Sequence, residues 1–94
     1  MSGINENRFD IEVIKALSDE TRLEILFLIG KNEMNVNEIA NNCRVSRPTI
    51  SHHLQIMKRS GILTSRKEGK EIYYSTNMYK LTSLAESILY FVGW

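Results

Sequence analysis

Between Arg44 and Lys70 the chain gathers side chains suited to a polyanion: seven cations (Arg44, Arg47, Lys58, Arg59, Arg66, Lys67 and Lys70) against the single acid Glu68. The remaining residues carry five basic and ten acidic groups, so a formal net charge of +1 conceals a basic block joined to an acidic body. That asymmetry suits a chain that meets phosphate through one face, although a solvated basic surface is the plainer reading of charge taken alone. Interleaved with the cations are Ser46, Thr49, Ser51, His52 and Gln55, whose hydroxyls, imidazole and amide can hydrogen-bond to base edges or to phosphates.

Other chemistry is poorly supplied. His52 and His53 are neighbours, and neighbours on a helix point about 100° apart, so they cannot share a metal ion on one face. Cys43 is the sole cysteine, which excludes an internal disulfide and a zinc thiolate cage. A redox role would require an exposed thiolate or a second cysteine across a dimer. No spacing suggests a nucleophile, a base and an orienting group together, so neither an enzyme nor a bound metal or cofactor is expected.

The elements that must position the basic block can be read from periodicity. Phe9, Val13, Ala16 and Leu17 form a helical stripe ending near Leu17. Ser18 or Asp19 can cap a second helix, apolar on nearly every face from Leu23 to Ile29 and therefore expected at the centre of the core. Asn35 and Glu38 have capping-box spacing and open a short third helix, with Val36, Ile39, Ala40 and Cys43 turned inward. A tight turn follows at Arg44 and Val45; Arg44 stands where a smaller residue would more easily take positive φ. Ser46 can cap a fourth helix, Pro48 is tolerated in its first turn, Ile50, Leu54 and Met57 form its buried stripe, and Gly61 stops it.

Two extended runs, Ile62 to Arg66 and Glu71 to Ser75, then read as a β-hairpin with a charged tip from Lys67 to Lys70. A last helix carries Leu81, Leu84, Ala85, Ile88, Leu89 and Val92 at three-and-four spacing, beside Tyr90, Phe91 and Trp94. Its wide apolar stripe could serve the core, a partner surface or an apolar ligand, and core plus partner surface accounts best for its width.

Two short helices joined by a turn, followed by a hairpin, make a winged helix-turn-helix: mainly α with a small β-hairpin, in the order α-α-α-α-β-β-α. One domain is expected from 94 residues, with a flexible N-terminus over 1–7 and the fold over 8–94. Within it the helix-turn-helix spans about 35–60, the wing about 62–76 and the C-terminal helix about 78–93. The fourth helix would present Ser46, Arg47, Pro48, Thr49, Ser51, His52, Gln55 and Lys58 to double-stranded DNA, with Arg44 in the turn before it. Arg47 can read a guanine edge or hold a phosphate, and Ser46 is as much a cap as a contact. Arg66, Lys67 and Lys70 would hold neighbouring phosphates from the wing, and His53 is left unassigned. The longest apolar run, Ile25 to Gly30, is six residues, and Met1 to Asn7 is polar, so no membrane span or targeting segment is expected and the protein reads as cytoplasmic.

The runs Lys15–Leu26 (KALSDETRLEIL), Val45–Leu54 (VSRPTISHHL), Ser60–Leu63 (SGIL) and Gly69–Ser75 (GKEIYYS) closely resemble the ArsR/SmtB family of winged-helix repressors, in the right order from about Ile14 to Ser75. The resemblance implies a homodimer on a palindromic operator, with the first and last helices forming the interface. Phe9, Val13, Leu81, Leu84, Ala85, Ile88, Leu89, Phe91 and Val92 would line it. It also implies an effector, often a metal, that releases the DNA; the residues specify none. Where some members carry a Cys-Val-Cys run this chain has Asn35-Val36-Asn37, and the last helix, Met78 to Trp94, lacks the Asp and His that other members use. A winged helix kept as a protein-interaction module is the alternative, which the basic block opposes.

Overall fold

In the computed structural model, which describes residues 8–93, every helix opens on a side chain that takes up a first-turn N–H left without a helical acceptor. Asp10 accepts from the Val13 N–H at 3.2 Å and starts α1 (Ile11–Leu17); Asp19 accepts from the Arg22 N–H at 3.0 Å and starts α2 (Glu20–Ile29). Asn35 and Glu38 form the reciprocal capping box their spacing predicts, at 2.9 and 2.8 Å, and open α3 (Val36–Asn41). Ser46 caps α4 (Arg47–Ser60), with Pro48 in the first turn, and Asn77 caps α5 (Met78–Val92). Residues 1–7, expected to be flexible, and Trp94 lie outside the described residues.

Helices, hairpin and final helix follow in the expected order, but the sheet has three strands where a two-stranded hairpin is expected. Glu33–Asn35 forms β1, which pairs antiparallel with β3 (Glu71–Thr76), and β3 pairs with β2 (Leu63–Glu68), in the order β1-β3-β2. The hairpin also runs further than its sequence suggests. Glu68 pairs with Glu71, so the turn is Gly69-Lys70 alone, with positive φ at Gly69 (62°) and not at Lys70, the pattern of a type II′ turn.

The core is built around α4. Ile50, Leu54 and Met57 are fully buried, and they meet Val13 and Ala16 of α1, Ile25, Leu26 and Ile29 of α2, Ile39 of α3, and Ile62, Leu63 and Tyr74 of the sheet region. Five expectations need correction. Phe27 is 75% exposed, because α4 and the sheet cover only one side of α2, so that helix is not buried on nearly every face. Phe9 precedes the Asp10 cap and is not helical; it packs edge-on against Phe91, with ring centroids 5.7 Å apart. Val13, expected at an interface between subunits, is 0% exposed in the single chain and belongs to the core, where it has no surface to offer a partner. Cys43 packs against the core as expected, but from the turn beyond the end of α3 and not from the helix itself. Arg44 does not adopt positive φ; among the described residues only glycines do.

The final helix has two characters. Leu81 and Leu84 pack against the core, and the buried Ser87 hydroxyl donates to the Ser83 carbonyl at 2.9 Å. Beyond them Ile88, Leu89, Tyr90, Phe91 and Val92 are exposed.

Candidate nucleic-acid interface

The site is one face of α4 and the strands that flank it. Ile50, Leu54 and Met57 repeat at four and three residues and take one side into the core, which forces the intervening residues outward. Ser46, Arg47, Pro48, Thr49, Ser51, His52, Gln55 and Lys58 are all exposed, as is Arg59. Arg47, Ser51 and Gln55 fall one above another at four-residue spacing, and His52 stands beside them, forming a polar strip along the helix. Ser46 Oγ lies 2.9 Å from Thr49 Oγ1 and accepts from the Thr49 N–H at 3.4 Å, so these two hydroxyls shape the helix start and still keep capacity for a further bond. Arg44 is exposed in the turn between α3 and α4, on the same end.

His53 points the other way. It is half-buried, and its Nδ1 lies 3.1 Å from Nη1 of Arg22 on α2. The two adjacent histidines therefore face different surroundings: His52 is at the outer face and His53 at the seat of the helix.

The wing divides its cations. Arg66 Nε and Nη2 donate to the two carboxylate oxygens of Glu33 on β1 at 2.6 and 2.7 Å, Nη1 donates to Glu68, and the guanidinium lies over the Tyr73 ring, 5.1 Å from its centroid. The bond from Arg66 holds the Glu33 carboxyl below its ordinary range, and the same carboxylates hold the guanidinium charge more firmly still. Arg66 is thus already engaged by two carboxylates. Alternation along β2 sends Lys67 to the face opposite Arg66, and Lys70 sits in the turn. Both are exposed, and no ion pair among the described residues includes either. The three cations expected to act together on phosphate thus separate into one brace and two unengaged lysines.

Sequence reasoning passes over Glu33, the partner of Arg66, and leaves His53 without a partner. The positions involved are 33 and 31 residues apart, and no local pattern signals such pairs. Among the described residues no three His, Cys, Asp or Glu side chains gather where they could hold a metal ion, and no helix is long and apolar enough to cross a membrane. Asn35 spends its side chain on the α3 cap. Burial, and then the nearby Glu24 charge, push the Cys43 thiol up from its ordinary range.

Known proteins are similar to this chain in sequence and fold. Transcriptional repressor SdpR of Bacillus subtilis (strain 168) is 39% identical over 81 residues, covering 86% of this chain and 90% of that protein. The cadmium resistance transcriptional regulatory protein CadC homolog of Staphylococcus aureus is 41% identical over 83 residues, covering 86% of this chain and 69% of its own length. Among solved structures, an ArsR-like transcriptional regulator from Rhodococcus sp. RHA1 superposes with a TM-score of 0.80 at 33% identity, over 99% of this chain and 84% of that one. Residues 19–65, from the cap of α2 into β2, match the family described as bacterial regulatory protein, arsR family. With a helix-turn-helix, a wing and an exposed cationic helix face on the same body, the chain belongs to the arsR family and is a DNA-binding winged helix-turn-helix regulator of transcription.

Proposed function

We propose that the chain is a homodimeric repressor that binds a palindromic operator, with α4 reading bases and the wing lysines holding phosphate. The observation that carries this reading is the division of α4: a fully buried apolar stripe behind, and Arg47, Ser51, His52 and Gln55 exposed in front. A helix held in that way can enter a major groove about 12 Å wide without disturbing the core. Arg47 is the base-reading candidate, because its planar fork matches the guanine edge, and Arg44, Ser46, Pro48, Thr49 and Lys58 frame it against the backbone. SdpR, named a transcriptional repressor, supports the sign of regulation.

The dimer rests on a second observation. Phe9, Ile88, Leu89, Phe91 and Val92 leave apolar surface exposed at one end of the molecule, with Phe91 77% exposed, beside Leu81, Leu84 and Ala85 on the same helix. A patch of this kind on a small domain asks for cover, and a symmetric second copy supplies it. Two α4 helices would then meet half-sites roughly 34 Å apart, one turn of DNA. Asn35 and Asn37 stand where a thiolate pair would have to be, so this reading places no thiolate metal sensor at α3.

Selection of bound sequences from random duplex DNA tests the reading. It should return a palindrome with half-sites about ten base pairs apart, and Arg47→Ala should weaken the selected site by about 1–3 kcal/mol more than random DNA. Equal weakening on both would make Arg47 a phosphate contact, and no binding at low salt would overturn the function. In sedimentation, deletion of 82–94 should leave a monomer; a truncated chain that stays dimeric would overturn the interface.

A further inference from the structure

The reading helix is held by more than its apolar stripe. Arg22, in the first turn of α2, reaches across the corner between α1 and α2. Its Nε donates to the Ala16 carbonyl at 2.5 Å, an acceptor the last turn of α1 leaves without a helical donor, and its Nη2 to the Lys15 carbonyl at 3.3 Å, which also accepts from the Ser18 N–H at 3.2 Å. Its third nitrogen, Nη1, faces Nδ1 of His53 at 3.1 Å. One side chain therefore ties α1, α2 and α4 at a point. The His53 side chain is only 13% exposed, and its Nε2 lies 4.0 Å from Oδ2 of Asp19, the cap of α2.

The bond sets a condition on the ring. Arginine has donors only and keeps its charge, so a bond from Nη1 requires Nδ1 of His53 to accept, as it does in the tautomer whose proton sits on Nε2, toward Asp19. A second proton would turn Nδ1 into a donor and set two cations against each other at hydrogen-bond distance. Asp19 would recover part of that cost, from the longer distance of 4.0 Å. The Arg22 N–H, more than any other group, holds the Asp19 carboxyl below its ordinary range. The other charged or titratable groups nearby are His52 on α4, with ring centroids 6.1 Å apart, and Glu12, Lys15 and Arg59, which line the cleft beside Arg22.

We propose that Arg22 and neutral His53 are positioning residues for DNA reading: their bond sets the roll of α4 against the α1–α2 corner, and a proton on His53 releases it and weakens DNA binding. The inference rests on α4 being the reading helix. It makes a prediction of unusual sign, because a histidine beside DNA ordinarily binds the polyanion better when protonated. His52, on the outer face, should behave in that ordinary way. The two neighbours then respond to acid in opposite directions.

The test is fluorescence anisotropy on the full chain with a duplex recovered by selection, at fixed ionic strength, between about pH 7.5 and pH 5.5, where imidazoles titrate. With His52→Gln removing the opposing term, affinity should fall about tenfold on acidification, the worth of one hydrogen bond to a charged group. His53→Ala should weaken binding at the upper pH. In the His52→Gln background His53→Asn, whose amide oxygen can stand in for Nδ1, should recover most of that loss and abolish the acid response. Arg22→Lys, which keeps charge but not the fork, should not restore the bond. Melting curves for each variant show that it is folded where affinity is measured, and His53→Gln replaces His53→Asn if the latter is not. An affinity in His52→Gln that is flat or rises with acid, or an acid loss that survives in His53→Asn, overturns the proposal while DNA binding itself stands. A wild-type chain that binds no duplex at any pH overturns the reading of α4 beneath it.

Discussion

Replacing Gly61 with alanine should destabilise the protein through two separable effects. Gly61 ends α4 with φ of 90° and passes the chain straight into the wing. An L-residue held in the left-handed region costs roughly 1–2 kcal/mol. A Cβ at this position would also stand 3.0 Å from Cε of Lys80, closer than carbon atoms normally approach. Lys80 can yield, because the contact is with the far end of a flexible side chain, but yielding draws Nζ from Asp10 Oδ2, now 3.3 Å away. That pair is partly exposed, so its loss adds about 1 kcal/mol or less.

The total of roughly 1–3 kcal/mol corresponds to a fall in Tm of about 4–8 °C for each kcal/mol in a domain of this size. Gly93→Ala is the control: it ends α5 in the same left-handed region, with φ 82° and ψ 31°, and nothing lies within 4 Å of the new Cβ, so it carries the backbone term alone. Scanning calorimetry at one protein concentration makes the comparison, since self-association would otherwise move Tm by mass action. A Gly61→Ala protein melting within about 2 °C of wild type would refute the left-handed argument, because the smallest expected cost is about twice that shift. Equal losses in the two variants would remove Lys80 from the account.

Three further outcomes follow from the wing and the turn. Arg66→Ala should leave the salt dependence of DNA binding unchanged, whereas Lys67→Ala and Lys70→Ala should each lower the slope of log affinity against log salt by about one; a drop of that size for Arg66 would show that it deserts Glu33 for phosphate. Because the folded Glu33 carboxyl sits below its ordinary 4.5, its bond to Arg66 stabilises fully above that pH and is lost as acid protonates the folded group. The gap in Tm between wild type and Glu33→Gln should therefore close on acidification below about pH 4.5, and a gap that persists to pH 2 would contradict it. Cys43, with its thiol raised by burial and by Glu24, should alkylate more slowly with iodoacetamide at neutral pH than free cysteine, and Glu24→Gln should speed it; mass spectrometry follows both, and a wild-type rate equal to that of free cysteine would count against this.

Most of the helical skeleton is legible in the sequence because its signals are local. Asn35 and Glu38 announce a cap from three residues apart, Ser46 and Pro48 mark the start of α4, and Gly61 marks its end, all as found. The outward set on α4 follows from the stripe Ile50, Leu54 and Met57 by helical geometry alone. What escapes is whatever depends on distant partners. Glu33-Met34-Asn35 has no strand signature of its own and becomes β1 only because Ser75, Tyr74 and Tyr73 offer a sheet edge. Arg66 looks like a free wing cation until Glu33 is placed beside it, and His53 gains a role only through Arg22. Val13 fits a helical stripe equally well whether that stripe faces the core or a partner, and only packing distinguishes the two.

Asn35 belongs to two elements at once. It is the last residue of β1, opposite Tyr73 of the hairpin, and its side chain starts α3, the first half of the helix-turn-helix. The brace from Glu33 to Arg66 fastens the same strand to the hairpin from the other side. Wing and helix-turn-helix are thus hinged nowhere along this seam, and a displacement of one must carry the other as a solid body. A signal that acts along this seam has little to gain by bending it. In the proposed dimer the compliant coordinates are instead the seat of α4 on the α1–α2 corner and the spacing and tilt between the two halves, so mutations that uncouple signal from release should map to that corner and to the final helix rather than to the seam.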